Sequence, residues 1–204
     1  MLEDVPNPID LRLMSDARAW EQSSMEKRPY RAEFFAKFTD EISVACPTAP
    51  RILELGSGPG FLAEHILRSI PDASCVLLDF SPAMHELARA RLVAFASRAE
   101  FIERSFKEAD WESGLGTFPC IVTNQAVHEL RNKRHASTLH AQVRTLLKPG
   151  GSYLVCDHFV GENGVTNEQL FMTVEEQREA LLFAGFKSVR QVLLKGSLVL
   201  HHAT

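Results

Sequence analysis

The stretch Leu53–Gly60, LELGSGPG, places three glycines within five residues, behind an apolar run and ahead of a helical pattern. A backbone without side chains at that point serves either a tight turn or the close approach of a ligand. The surrounding chain narrows the choice. From Arg51 onward, short apolar runs alternate with stretches of helical spacing. RILEL precedes FLAEHILRSI, SCVLLD precedes SPAMHELARARLVAFA, and AEFIER follows. FPCIVTNQ then precedes NKRHASTLHAQVRTLL, a KPGG turn leads into SYLVCD, and TVEEQREALLFAG comes after it. Apolar strands joined by helical crossovers predict an α/β chain, with a mainly parallel sheet covered on both faces. Right-handed crossovers bring the glycine loop to the carboxyl edge of the first strand, where such sheets bind ligands.

Local signals mark the ends of several elements. Ser81 with Pro82 starts one helix, and Thr173 with Glu176 has capping-box spacing at another that stops at Gly185. FKSVRQVLL and SLVLHHA flank the dipeptide KG and predict a terminal hairpin. The segment AWEQSSMEKRPYRAEFFAKFTDEISVA has helical spacing broken at Pro29, so it predicts one or two helices. We expect a single domain over 1–204, with 1–48 as a helical lid and 50–204 as the core.

Composition bounds the partners. The 204 residues carry a formal charge of −4 with both signs interspersed, which disfavours a nucleic-acid track. Cys46, Cys75, Cys120 and Cys156 lie far apart with no metal-ligand spacing, so free buried thiols are expected and no metal site. The N-terminus is acidic and broken by prolines, unlike a signal peptide, and no apolar run approaches the roughly 20 residues a membrane span needs. These features predict a cytoplasmic chain with no membrane partner; its oligomeric state is left open.

The loop itself excludes two ligand classes. Gly56, Gly58 and Gly60 do not have the G-x-G-x-x-G spacing of a dinucleotide fingerprint, and no Lys follows as in a phosphate-cradling loop. The second strand ends in Asp79, 19 residues past Gly60, where a carboxylate accepts hydrogen bonds from ribose hydroxyls. LELGSGPG, then LLDFSPAM, then LLKPGGSYLVCD resemble, in order and spacing, the class I S-adenosylmethionine-dependent methyltransferases. The resemblance covers about residues 50–203. It implies a three-layer α/β/α sandwich whose seven-stranded sheet has the order 3-2-1-4-5-7-6, with an antiparallel C-terminal hairpin.

The resemblance also implies S-adenosylmethionine as cofactor. Glu54 takes the acidic position before the loop, and Gly56, Ser57, Gly58 and Gly60 pass beneath the methionine and ribose parts. Asp79 takes the ribose and Phe80 lies beside the adenine. Ser105 or Phe106 stands where the family often has an Asp, and Asn124 and Gln125 face the cofactor from the fourth strand.

Methyl transfer is an in-line displacement, and a base is needed only when the nucleophile carries a proton. His128 and His158, at the mouths of the fourth and fifth strands, are the candidate bases because histidine titrates near neutrality. Glu129 is read as a partner of solvent or Arg131, and Asp157 as a neighbour of the substrate. Arg28 and Tyr30 in the lid are within reach of the methionine carboxylate or the substrate. His65, His85, His135, His140, His201 and His202 are read as surface residues. The stretch HFVGENGVTNEQLFMT reads as a mobile loop near the pocket. A small-molecule acceptor methylated on O, N or S is the first reading; a protein or RNA acceptor, or a non-catalytic cofactor-binding protein, is the alternative.

Overall fold

The structure is a computed structural model that describes residues 3–27 and 29–204, and only the backbone of Met25. Two helices come first, α1 (Met14–Glu26) and α2 (Arg31–Ala45), separated at Pro29. The alternating part follows as β1 (Arg51–Leu55), α3 (Phe61–Ser69), β2 (Ser74–Asp79), α4 (Pro82–Arg91) and β3 (Ala99–Glu103). It continues through β4 (Phe118–Asn124), α5 (Ala136–Thr145), β5 (Leu147–His158) and α6 (Val174–Phe183) to β6 (Val189–Lys195) and β7 (Leu198–Ala203). The seven strands lie in the order β3-β2-β1-β4-β5-β7-β6, as the resemblance implied. β7 runs antiparallel to both β5 and β6, so the last hairpin is inserted with β7 inside and β6 at the edge.

Strand periodicity builds two cores. Leu53, Leu55, Val76, Leu78, Ile121 and Tyr153 face one side, against Leu139 and Val143 of α5 and Leu181 of α6. Ile52, Cys75, Leu77, Cys120, Val122 and Leu154 face the other, against Phe34, Phe38 and Ile42 of α2 and Leu62 and Ile66 of α3. Both faces of the central strands are therefore mainly apolar, the pattern of a sheet buried on both sides. All four cysteines are free and buried. Among the described residues no helix is long and apolar enough to cross a membrane.

The caps follow the sequence. The Ser81 side chain accepts the Met84 N–H at 3.0 Å, and Thr173 and Glu176 form the reciprocal capping box. Two boundaries differ from expectation. Asn132 accepts the Arg134 N–H and starts a short 3-10 turn, Lys133–His135, so α5 begins only at Ala136. Lys148–Gly151 falls in a register shift of β5 against β4, so that strand starts at Leu147.

The histidine expectation also needs correction. His85, His140 and His201 are buried, on the inner faces of α4, α5 and β7. Burial pushes each imidazole down to about 4, so all three are neutral core groups. His201 alternates with residues of a strand inside the sheet, a position that a terminal stretch does not announce.

Residues ahead of α1 run across the carboxyl edge of the sheet. The Val5 N–H donates to the Arg131 carbonyl at 2.8 Å. The Arg131 guanidinium donates in return to the Val5 carbonyl at 2.9 Å and the Pro6 carbonyl at 2.8 Å. The Ser81 hydroxyl donates to the Leu11 carbonyl. This strap is tied at both ends over the tips of β1, β2 and β4.

Candidate active site

The three loop glycines have left-handed φ angles of +65°, +52° and +78°, and each meets a different need. A Cβ on Gly56 would lie 2.4 Å from the Ala126 Cβ, so this glycine lets the loop touch the chain leaving β4. A Cβ on Gly60 would lie 3.2 Å from the Ala88 Cβ, so that glycine seats the start of α3 against α4. A Cβ on Gly58 meets nothing within 4 Å. Gly58 faces open space, and its bare backbone forms part of a cavity wall.

The tip of β2 is wired to this loop. Gly58 N–H donates to Asp79 Oδ2 at 2.8 Å and Ser81 N–H to Asp79 Oδ1 at 3.0 Å. Each carboxylate oxygen keeps a further acceptor position. Burial pushes the Asp79 carboxyl up to about 6, against the pull of those two N–H groups. Glu54 lies beside it, pushed up to about 8 by burial and then by the Asp79 charge. Glu54 Oε2 and the Ser57 hydroxyl are buried with no hydrogen-bond partner among the described residues. Unsatisfied polar groups at such depth are costly and mark a surface shaped for something else.

The cavity between strap and sheet edge measures about 280 Å³. Of the residues singled out from sequence, its wall holds Glu54, Gly56, Ser57, Gly58, Asp79, Phe80, Ser105, Phe106, Asn124, Gln125, His128 and Glu129. Gly60 stands outside it, in helix packing. Tyr30 packs on the β6–β7 turn instead, with the Lys195 ammonium 4.7 Å from its ring centroid. Arg28 lies outside the described residues.

Past β4 the site changes character. His128 Nδ1 lies 2.7 Å from Asp157 Oδ1, and the His128 N–H donates to Asp157 Oδ2 at 2.9 Å. The His158 N–H donates to Asp157 Oδ1 at 2.7 Å. On its other edge His128 Nε2 faces Glu129 Oε1 at 3.4 Å, and Glu129 Oε2 lies 3.7 Å from Arg131. Burial works against a charged His128 ring, but Asp157 and then Glu129 outweigh it and raise the ring to about 10. Both ring nitrogens thus face carboxylate oxygens, the arrangement that favours the protonated imidazole. His158 stands behind, its ring edge-on to His128 at 5.9 Å between centroids, with Nδ1 2.9 Å from the Ser197 hydroxyl. Phe171, from the loop after β5, packs on both rings. Asp157 is buried beneath them and does not reach the cavity.

Comparison with known proteins decides the family. The family model described as "Methyltransferase domain" matches residues 52–151, from β1 to the start of β5. A malonyl-[acyl-carrier protein] O-methyltransferase of Paenibacillus sp. (strain JDR-2) is 31% identical over 178 residues, covering 82% of this chain and 62% of that protein. Residues 52–151 belong to the class I S-adenosylmethionine-dependent methyltransferases. Solved methyltransferases share the fold. An O-methyltransferase family 2 protein from Planctomyces limnophilus, in complex with apigenin, superposes with a TM-score of 0.74 at 16% identity, over 97% of this chain and 62% of that one. Human N-acetylserotonin methyltransferase, in complex with S-adenosylmethionine, gives 0.73 at 18% identity, over 95% and 56%. The chain thus spans less than two thirds of the length of each of these proteins.

The residues of this cavity fit the family's cofactor. The spare acceptor positions of Asp79 suit two ribose hydroxyls, and the unpartnered Glu54 oxygen suits a cationic group. The wall also holds residues that sequence reasoning missed: Asn7, Ile9–Arg12, Trp20 and Arg31. The strap residues carry no periodicity and gave no signal. Arg31 did carry one, because it continues the Phe34, Phe35, Phe38 stripe of α2 with a charge, buried with its guanidinium 4.6 Å from the Phe61 ring centroid.

Proposed function

We propose that the chain transfers the methyl group of S-adenosylmethionine to an oxygen, nitrogen or sulfur atom of a small molecule. The observation that carries this reading is the carboxylate of Asp79, fixed by Gly58 and Ser81 N–H groups with one acceptor position open on each oxygen. When bound, the cofactor supplies a methyl carbon made electrophilic by an adjacent sulfonium. Asp79 orients the ribose, and the bare backbone at Gly58 lets the ligand lie against the loop. Glu54 loses its proton in favour of the ligand's positive charge. His128, held by Asp157, contacts the acceptor at the far wall. The strap ahead of α1, together with α1, serves as the cover that keeps water off the cavity, whereas α2 packs on the face of the sheet. Holding two reactants in a near-attack geometry supplies about 7–11 kcal/mol, and a displacement with a neutral leaving group asks for little else.

A carrier-bound acyl acceptor is the second reading, favoured by the name of the Paenibacillus relative. Calorimetric titration with S-adenosylmethionine, S-adenosylhomocysteine and NADH tests the primary reading. Micromolar binding of the two adenosyl ligands alone supports it. Binding of NADH, or of none of the three, removes it.

A further inference from the structure

The wall around His128 holds an acidic side chain in an unexpected place. A base needs an open ring nitrogen directed at the acceptor. Here Nδ1 is taken by Asp157 at 2.7 Å, and the nitrogen on the cavity side faces the Glu129 carboxylate at 3.4 Å. Glu129 is about a third exposed and lines the cavity, whereas Asp157 is buried behind the ring. Three cations surround the Glu129 carboxylate: the imidazolium, Arg131 at 3.7 Å, and Lys107, which lines the same cavity. Lys107 is exposed at the rim, in the field of Glu129 and Asp4. The charged groups facing the ring are thus Asp157 from β5 and Glu129 from the turn after β4; His158 meets it edge-on, and Phe171 closes the remaining side.

We propose that the methyl acceptor is a carboxylate, and that Glu129 is an internal carboxylate occupying the acceptor's position against His128 until the acceptor displaces it. This rests on the methyltransferase reading and narrows its substrate. The displaced Glu129 retains Arg131 as its partner, so exchange leaves neither charge stranded. The acceptor carboxylate receives the N–H of the His128 imidazolium and the field of Lys107. One of its oxygens forms a bond to the methyl carbon as the carbon–sulfur bond breaks and its electron pair stays on sulfur. The negative acceptor and the positive sulfonium become a neutral ester and a neutral thioether. No proton moves, so no base is required and a protonated His128 is the competent form. An alcohol presents its proton to a ring that already holds one, and loses at this wall.

The test uses matched acid and alcohol probes on the full chain saturated with S-adenosylhomocysteine. Phenylacetate is set against 2-phenylethanol and octanoate against octan-1-ol, with the His128 ring signals followed by NMR of histidine-labelled protein. The acids are expected to shift the ring signals and bind ~tenfold or more tightly than their alcohols, because a charge-assisted hydrogen bond replaces a neutral one. Glu129→Gln, which discharges the internal competitor, is expected to tighten acid binding further without tightening the alcohols. Equal binding of acid and alcohol, preference for the alcohols, or acids that leave the His128 signals unmoved each overturn the proposal. The same samples separate the two levels of inference. Failure to bind S-adenosylhomocysteine defeats the methyltransferase reading itself. Saturation with it while the acids gain nothing defeats only the carboxylate acceptor.

Discussion

The two ends of the cavity are built by different means. At the β1–β2 end, recognition comes from backbone: the left-handed glycines Gly56 and Gly58 and a carboxylate held by two main-chain N–H groups. Its acidic groups, Glu54 and Asp79, are pushed up by burial and left waiting for a partner. At the β4–β5 end, recognition comes from side chains already paired with each other: Asp157, His128, Glu129 and Arg131. An end made of backbone suits a ligand that never changes. An end made of exchangeable side chains suits the part of the reaction that differs from one enzyme to the next.

The largest effect that separates the ends is expected from Asp79→Ala. Loss of two hydrogen bonds to a charged acceptor, each worth about 1.5–3 kcal/mol, weakens S-adenosylhomocysteine binding by on the order of 100-fold or more, read by calorimetry. Asp157→Asn strikes the other end. It leaves a buried cation without the nearer of its two counter-charges and is expected to cost about 3 kcal/mol of stability in urea denaturation. It should also lower the His128 ring titration while cofactor affinity changes little.

The loop glycines sharpen the contrast within the cofactor end. Gly56→Val drives its side chain into Ala126 and is expected to destabilise the fold by roughly 1–3 kcal/mol more than Gly58→Val, whose side chain enters open cavity. Gly58→Val keeps the fold and loses cofactor binding; a variant that bound at wild-type affinity would refute the contact assigned to that backbone. Glu54→Gln is expected to act through pH alone. A carboxyl raised to about 8 in the folded chain contributes stability below its ordinary range near 4.5, and that contribution is lost as pH rises through 8. The ligand-free melting temperature should therefore fall between pH 5 and 8, and fall less in Glu54→Gln. A steeper fall in the variant would mean that Glu54 is not the group left protonated.

The difference between the ends also explains what could be read from sequence. The strands, the glycine loop, Asp79 and the terminal hairpin were legible because each depends on local spacing: apolar runs, φ-permissive residues, a carboxylate at a strand tip. The strand order and the insertion of the hairpin were legible only through the family resemblance. The pairing of His128 with Asp157 joins residues 29 apart, one in the turn after β4 and one at the end of β5, and no local pattern states it. The strap was less legible still, since Arg131 reaches back 126 residues to Val5. His140 and His201 were misread for the same reason, because their burial is decided by which face of a distant element covers them. Ser105 and Phe106, at the place where the family often has an acid, do line the cavity, so their position was legible even though their residue types were unusual.

The most direct measurement is the S-adenosylhomocysteine affinity of Asp79→Ala and His128→Gln, side by side with wild type. If the ends are separate as described, the first variant loses binding by on the order of 100-fold while the second stays within about threefold of wild type. Equal losses in both, or the larger loss in His128→Gln, would contradict the division of the cavity into a cofactor end and an acceptor end.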